Sequence, residues 1–318
     1  MKTFKIFLVF IIVILVSVLG CKKEEEPTPI ISTPTTPTVN PTNQFFSDNI
    51  AAAIQSSTVD VSTLSSINSS GAEIWIGPNS FVDASGNPVT GNVYIELIVA
   101  LDNKEMLMLN RPTVTNNGDL LISDGIIYIN ATQNGGQLQI ADPISTTMPN
   151  VMGGNVSSPF TLWNGDTTTN GDFVWTEDTT NTLFPNDSSY YFNIDTIGWH
   201  NLDVLADLGQ GVTQNVSVVL PSGLTGNNSA VLMYFTSMNS FSSISDGSNE
   251  DGIFTPGSSY YIPIGAVTKF VVVSMVNNVW SYHVSPSITI TDPTDYIVPS
   301  LTSAADEQSM QTAILNAL

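Results

Sequence analysis

Residues 93–101, VYIELIVAL, alternate between apolar and outward positions, placing Val93, Ile95, Leu97, Val99 and Leu101 on one face and Glu96 on the other. That period of two predicts a strand with one buried face. The turn formers DASGNPVTG (83–91) precede it. Downstream, the apolar run at 126–131 ends in Gln133-Asn134-Gly135-Gly136, a hairpin-type turn leading into Leu138-Gln139-Ile140. Only NKEMLML, residues 103–109, breaks the strand pattern and predicts a short helix.

A second set of short, β-branched and aromatic runs follows: VSVVL (216–220), AVLMYF (230–235), KFVVVSMV (269–276), VWSYHV (279–284) and SITIT (287–291). Asn277 and Asn278 separate two of these, and asparagine tolerates the positive φ that a two-residue hairpin turn needs. Between the two sets, residues 162–189 are rich in Thr, Asn, Asp and Gly and weak in apolar periodicity. The pattern predicts an all-β chain of two antiparallel β-sandwich domains. Their expected bounds are 45–150 for the first, 151–189 for a polar connector, and 190–301 for the second. Residues 302–318 read as a short helix or tail, with Met310, Ala313, Ile314 and Ala317 at helical spacing.

The first 44 residues follow neither period. A basic start is followed by fourteen uncharged residues (6–19), and then by Gly20 and Cys21. This is the layout of a secretory signal over residues 1–20, and the apolar run is too short for a spanning helix, which needs roughly 17 to 25 residues. Val18-Leu19-Gly20-Cys21 resembles the lipobox of bacterial lipoproteins. The resemblance implies cleavage after Gly20 and a diacylglyceryl group on the Cys21 sulfur, and Cys21 is the chain's single cysteine. The membrane, reached through that lipid, is the first expected partner. Lys22, Lys23, Glu24, Glu25 and Glu26 follow. They resemble the lysine-then-acid signal with which Bacteroidota move lipoproteins to the outer face of the outer membrane, and this implies a lipid-anchored, surface-exposed location. Residues 27–44 contain five prolines and six threonines and no charge. With the lipidated cysteine they read as an extended tether, 21–44.

Charge narrows the partners. The chain has 7 basic and 28 acidic residues, and two of the basic ones, Lys2 and Lys5, lie in the signal. A surface so poor in cations cannot neutralise phosphates, which excludes nucleic acid. The lack of further cysteines excludes disulfides and thiolate metal sites.

GAEIWIGPNSFVDASGNPVTGNVYIELIVAL, continued by NRPTVTNNGDLLISDGIIYINATQNGGQLQI, looks like a module of Bacteroidota surface lipoproteins. Its opening strand, proline turn and VTGNV step are similar to the ZU-type β-sandwich of ankyrins and netrin receptors. FNIDTIGWHNLD (192–203) is similar to a segment that follows the module in the same proteins. The resemblance implies a β-sandwich and an interaction surface, and it brings no catalytic motif.

The supply of reactive residues agrees with a chain that is not an enzyme. His200 and His283 lack metal spacing, and His200 with Asp203 makes at most a weak pair. Neither a G-x-S-x-G elbow nor an S-x-x-K pattern is present. No cofactor is expected beyond a candidate calcium loop at Asp246, Glu250 and Asp251 in SDGSNEDG, for which solvated turns are the favoured reading. Trp75 and Trp280 are candidates for stacking on sugar, although packed aromatics are commoner. Three Asp-Thr triplets resemble the O-glycan acceptor of Bacteroidota, making Thr167, Thr179 and Thr196 candidate acceptors. The functional expectation is a non-catalytic, lipid-anchored protein that contacts a protein or a polysaccharide. The alternatives are a periplasm-facing structural lipoprotein and a glycan-binding accessory of an uptake system.

Overall fold

The computed structural model describes residues 40–318 except 153–158, 170, 187, 208, 210, 247–250 and 258–259. The expected signal peptide, Gly20, Cys21, the charge run Lys22, Lys23, Glu24, Glu25 and Glu26, and most of the tether therefore lie outside the described residues. What is described is all-β, with three helices: α1 (Pro41–Ala53), α2 (Asn103–Met108) and α3 (Glu307–Ala317). None of these is long and apolar enough to cross a membrane.

Helix α1 corrects the expected start of the folded part. Residues 41–44 are its first turn, where the sequence pattern had placed the end of the tether. Asn40 caps the helix, its side-chain oxygen accepting from the Thr42 amide at 3.0 Å. Pro41 takes the first helical position, where its missing N–H costs nothing. Phe45 and Phe46 are buried one turn later. The cap is itself held, because Asn40 Nδ2 donates to the Gly226 carbonyl at 2.7 Å.

The first strand set forms a two-sheet sandwich. One sheet runs in the order Gln55–Asp60, Asn92–Ala100, Leu121–Gln133, Gly198–Leu205, Thr161–Thr167, Phe173–Glu177, all neighbours antiparallel. The other runs Phe184–Pro185, Ser189–Ile194, Ile144–Pro149, Ala72–Ile76, Ser65–Ser69. Ile74, Ile95, Leu97, Ile129, Phe192 and Leu202 fill the space between them.

Strand pairing therefore moves the expected boundaries. The supposed connector, 151–189, supplies Thr161–Thr167 and Phe173–Glu177 to the first sheet, and 190–205 completes the first sandwich instead of opening the second domain. The reason is compositional. Each connector strand buries one short consecutive cluster, Leu162-Trp163 in one and Phe173-Val174-Trp175 in the other, flanked by Thr, Asn, Asp and Gly, so apolar periodicity is lost while the strand remains. FNIDTIGWHNLD is the place where the chain leaves one sheet at Ile194 and enters the other at Gly198.

The second set makes one nine-stranded sheet in the order Thr294–Ile297, Val216–Val219, Ile253–Thr255, Ser240–Asp246, Ser229–Phe235, Val267–Val276, Val279–Val284, Thr302–Ser303, with Ile288–Thr289 also on Val267–Val276. The pairing of Val216–Val219 with Thr294–Ile297 is parallel. The hairpin at Asn277-Asn278 has φ of 51° and 61°, as its sequence predicts, and Asn134-Gly135 turns with φ of 53° and 79°.

Between the sandwich and this sheet lies a third core. Ile98 and Ala100 face it from the first sheet, Leu232, Val271 and Val273 from the second, Phe45, Met106 and Met310 from the helices. Alternate residues of the same strands serve the outer cores: Ile95 and Leu97 inside the sandwich, Phe270 and Val272 on the far side of the nine-stranded sheet. Burial on both faces explains why FVVV (270–273) and AVLMYF (230–235) are continuous apolar runs. Polar stitches add direction: Asn103 Nδ2 on α2 donates to the Phe235 carbonyl at 3.1 Å, and Asn239 Nδ2 donates to the Ser123 carbonyl at 2.8 Å. Residues 39–318 consequently form one compact unit.

Candidate functional site

The described residues include three basic side chains, Lys104, Arg111 and Lys269, and each is engaged internally. Lys104 Nζ donates to the Leu315 carbonyl at 3.2 Å, and Lys269 Nζ donates to that of Ala317. Both ammonium groups thus sit on the C-terminal end of α3, where the helix dipole is negative. Arg111 lies over the rings of Phe173 and Trp199, 4.4 and 4.6 Å from their centroids, and donates to the Leu109 and Asn110 carbonyls. Burial brings its pKa down to about 10, so it stays charged at neutral pH. The carboxylates at the surface are left without described cations of their own.

Three of them line one cleft. A cavity of about 570 Å³ opens between α1, α2, α3 and the strand Asn92–Ala100. Ala53, Ile98, Ala100, Leu109 and Leu315 give it an apolar floor, and Asp48, Glu105 and Glu307 give it an acidic rim. Two of the acids are positioned by helix starts. Asp102 caps α2 by accepting from the Glu105 amide at 2.9 Å, and Glu105 Oε2 reaches back to the Leu101 amide at 2.8 Å, a reciprocal cap. Asp306 caps α3 by accepting from the Ser309 amide, which sets Glu307 in the first turn. Asp48 comes from α1, where Gln44 Nε2 donates to it at 2.8 Å. Partial burial, and next the charge of Asp48, hold the Glu307 carboxyl above its ordinary value.

A second acidic cluster is sealed inside the sandwich. The pairing of Gly198–Leu205 with Leu121–Gln133 slips between Asn201 and Asp203, and at that irregularity Ser123, Asp124, Asn201 and Asp203 are all buried. Ser123 Oγ donates to Asn201 Oδ1 at 2.6 Å, and Asn201 Nδ2 donates to Asp203 Oδ2. Asp124 Oδ1 accepts from the Val151 and Met152 amides at 3.0 and 2.7 Å. Asp124 Oδ2 and Asp203 Oδ1 have no hydrogen-bond partner. Desolvation above all drives the Asp203 pKa well above the carboxylate range, reinforced by Asp124 and opposed by the bond from Asn201. Asp124 is raised as well, again by burial first.

The residues singled out by sequence are dispersed. Of the calcium candidates, Glu250 lies outside the described residues, as does the side chain of Asp246. Asp251 Oδ1 accepts from the Ile253 amide at 3.0 Å, closing its own turn. Among the described residues no three potential His, Cys, Asp or Glu ligands gather. Thr167, Thr179 and Thr196 are all exposed, at a strand end, in a turn and between two strands respectively. His200 is buried, with Nδ1 at 2.8 Å from Asn164 Oδ1 and Nε2 at 3.0 Å from the Thr196 carbonyl. Its hydrogen bonds run to those two residues, and the weak His200–Asp203 pair is not formed. His283 Nε2 bonds the Tyr296 hydroxyl at 2.7 Å.

Of the two tryptophans, Trp280 packs on Phe45 with ring centroids 5.6 Å apart. Trp75 is half-buried on the outer face of its sheet, in register with Ser145. Sequence reading missed both acidic clusters. Asp48 sits within α1 and Glu307 at the start of α3 with no motif joining them, and Asp124 and Asp203 meet only through strand register. No protein-family model matches the chain, and no curated protein matches it either.

Proposed function

We propose that this chain is a non-catalytic, lipid-anchored protein of the outer membrane, displayed on the cell surface, where it contacts a protein or a polysaccharide. The observation that carries the reading is Val18-Leu19-Gly20-Cys21, the chain's single cysteine set between an apolar leader and a proline- and threonine-rich tether. Acylation there gives firm anchoring, because each buried CH₂ contributes about 0.8 kcal/mol and several chains act together. The tether then holds a rigid three-core body away from the bilayer.

The non-catalytic assignment is supported by how the reactive groups are used. Both histidines are hydrogen-bonded to neighbouring polar groups, and Asp124 and Asp203 are buried. The three candidate glycan acceptors, Thr167, Thr179 and Thr196, are exposed, as modification requires.

Surface display is tested by changing residues 22–26 all to alanine. Fatty-acid labelling should persist in that variant, while protease added to whole cells should cleave the parent and spare the variant. Equal cleavage of both would remove the export role of the charge run.

A further inference from the structure

We infer that the cleft between α1, α2 and α3 is a docking site for an apolar, lysine- or arginine-bearing segment of a partner protein. The inference rests on the reading of the chain as an interaction module and narrows its partner class. A cavity of about 570 Å³ is within the range of roughly 300 to 1,000 Å³ usual for ligand sites. Its floor takes apolar side chains. Its rim asks for positive charge, because Asp48, Glu105 and Glu307 line it together. A cation placed among them is attracted by all three carboxylates.

No described cation competes from within. Lys104 and Lys269 are bound to α3 carbonyls, and Arg111 is half-buried over the rings of Phe173 and Trp199. The rim is also pre-formed: Glu105 is held in the α2 cap, Glu307 follows the α3 cap, and Asn49 Nδ2 is fixed on the Met108 carbonyl at 3.0 Å. Preorganised groups lose little freedom on binding. Two other ligand classes fit less well. Nucleic acid and anionic polysaccharide meet like charge. A neutral sugar finds no aromatic ring among the residues that line the cleft, although ring stacking is the usual apolar contact for a sugar face.

The test uses the mature lipidated chain in detergent. The probe is the peptide acetyl-Leu-Lys-Val-Arg-Leu-amide, titrated calorimetrically beside its Glu-substituted counterpart and a neutral oligosaccharide. The basic peptide should bind, and raising sodium chloride from about 50 to 300 mM should weaken it severalfold, since exposed charges are screened. The double variant Asp48→Asn, Glu307→Gln should weaken it about tenfold or more, on the scale of removing close charge pairs, with an unchanged melting profile. Asp251→Asn, away from the cleft, should leave the affinity within about twofold, in line with a distant independent site.

Absence of binding at millimolar peptide, equal binding of the acidic peptide, or indifference to the double variant would overturn the inference. So would displacement of the basic peptide by the oligosaccharide, or a large gain in peptide affinity on changing Lys22 and Lys23 to alanine, which would make the chain's own tether the occupant. Fatty-acid labelling at Cys21, read on the same preparation, reports on the anchoring separately, so failure of the cleft and failure of the lipoprotein reading remain distinguishable.

Discussion

The Asp178 turn and the Asp203 interior belong to the same sandwich, and both residues are little exposed, at 7% and 0%. Their ionisation nevertheless goes in opposite directions. Asp178 accepts from the Thr180 amide and hydroxyl, the Asn181 amide and Asn181 Nδ2, at 2.6 to 3.2 Å. Desolvation pushes its pKa up, but those donors outweigh it and hold the group at about 2. Asp203 has an oxygen with no donor at all, and desolvation drives it well above the ordinary range. Depth and the supply of donors together decide whether such an acid keeps its charge. At the cleft, partial burial first and then the charge of Asp48 raise the Glu307 carboxyl, and an external cation is the complement proposed for that rim.

The largest expected effect comes from removing the interior charge problem. With a raised folded pKa, Asp203 keeps its proton in the folded state while the unfolded chain releases it above the ordinary carboxylate range. Stability supplied by the protonated group is therefore full in acid and is lost as pH rises toward the raised pKa, at about 1.4 kcal/mol per pH unit for one proton. Asp203→Asn lacks this slope. Urea melts from pH 4 to 8 should show variant and parent close together at the acid end and the variant increasingly the more stable toward pH 8. Parallel curves would mean that Asp203 ionises normally and that the contrast with Asp178 is false.

A smaller loss is expected at the turn. Asp178→Ala should destabilise by about 1–3 kcal/mol at pH 6, the usual range for losing charge-assisted hydrogen bonds. The sign is opposite to that of Asp203. A depressed folded pKa contributes stability that is present above the ordinary carboxylate range and lost as pH falls through about 2, so the gap between parent and variant should close between pH 4 and 2. Asn181→Ala, which removes donors one side chain away, should cost about 1 kcal/mol and move the Asp178 titration upward in a carboxyl-resolved NMR experiment.

How much of this was legible in the sequence followed from how local the signal was. The strand at 93–101, the helix at 103–109, the asparagine hairpin at 277–278 and the Met310/Ile314 face of α3 depend on residues a few positions apart, and the structure has each of them. Helix α1 was hidden because the proline- and threonine-rich run continues into its first turn, although Asn40-Pro41 is a start signal in its own right. The strands Thr161–Thr167 and Phe173–Glu177 were hidden because their buried tryptophans and phenylalanine stand among Thr, Asn and Asp, which read as linker.

The sites were the least legible. The cleft is assembled from the first helix, the last helix and a strand between them, and nothing in a local window joins Asp48 to Glu307. Asp124 and Asp203 meet because two strands are paired across an irregular register. By contrast, the features behind the proposed location are contiguous, residues 18–44, and could be read directly as a resemblance.

The central claim is that Cys21 carries the lipid that holds this body to the membrane. Cells expressing the parent and Cys21→Ser, grown with labelled palmitate, should show label on the parent alone. The serine chain should accumulate at a larger apparent mass because cleavage after Gly20 has not occurred. Label retained on the serine variant, or identical processing of both chains, would contradict the account.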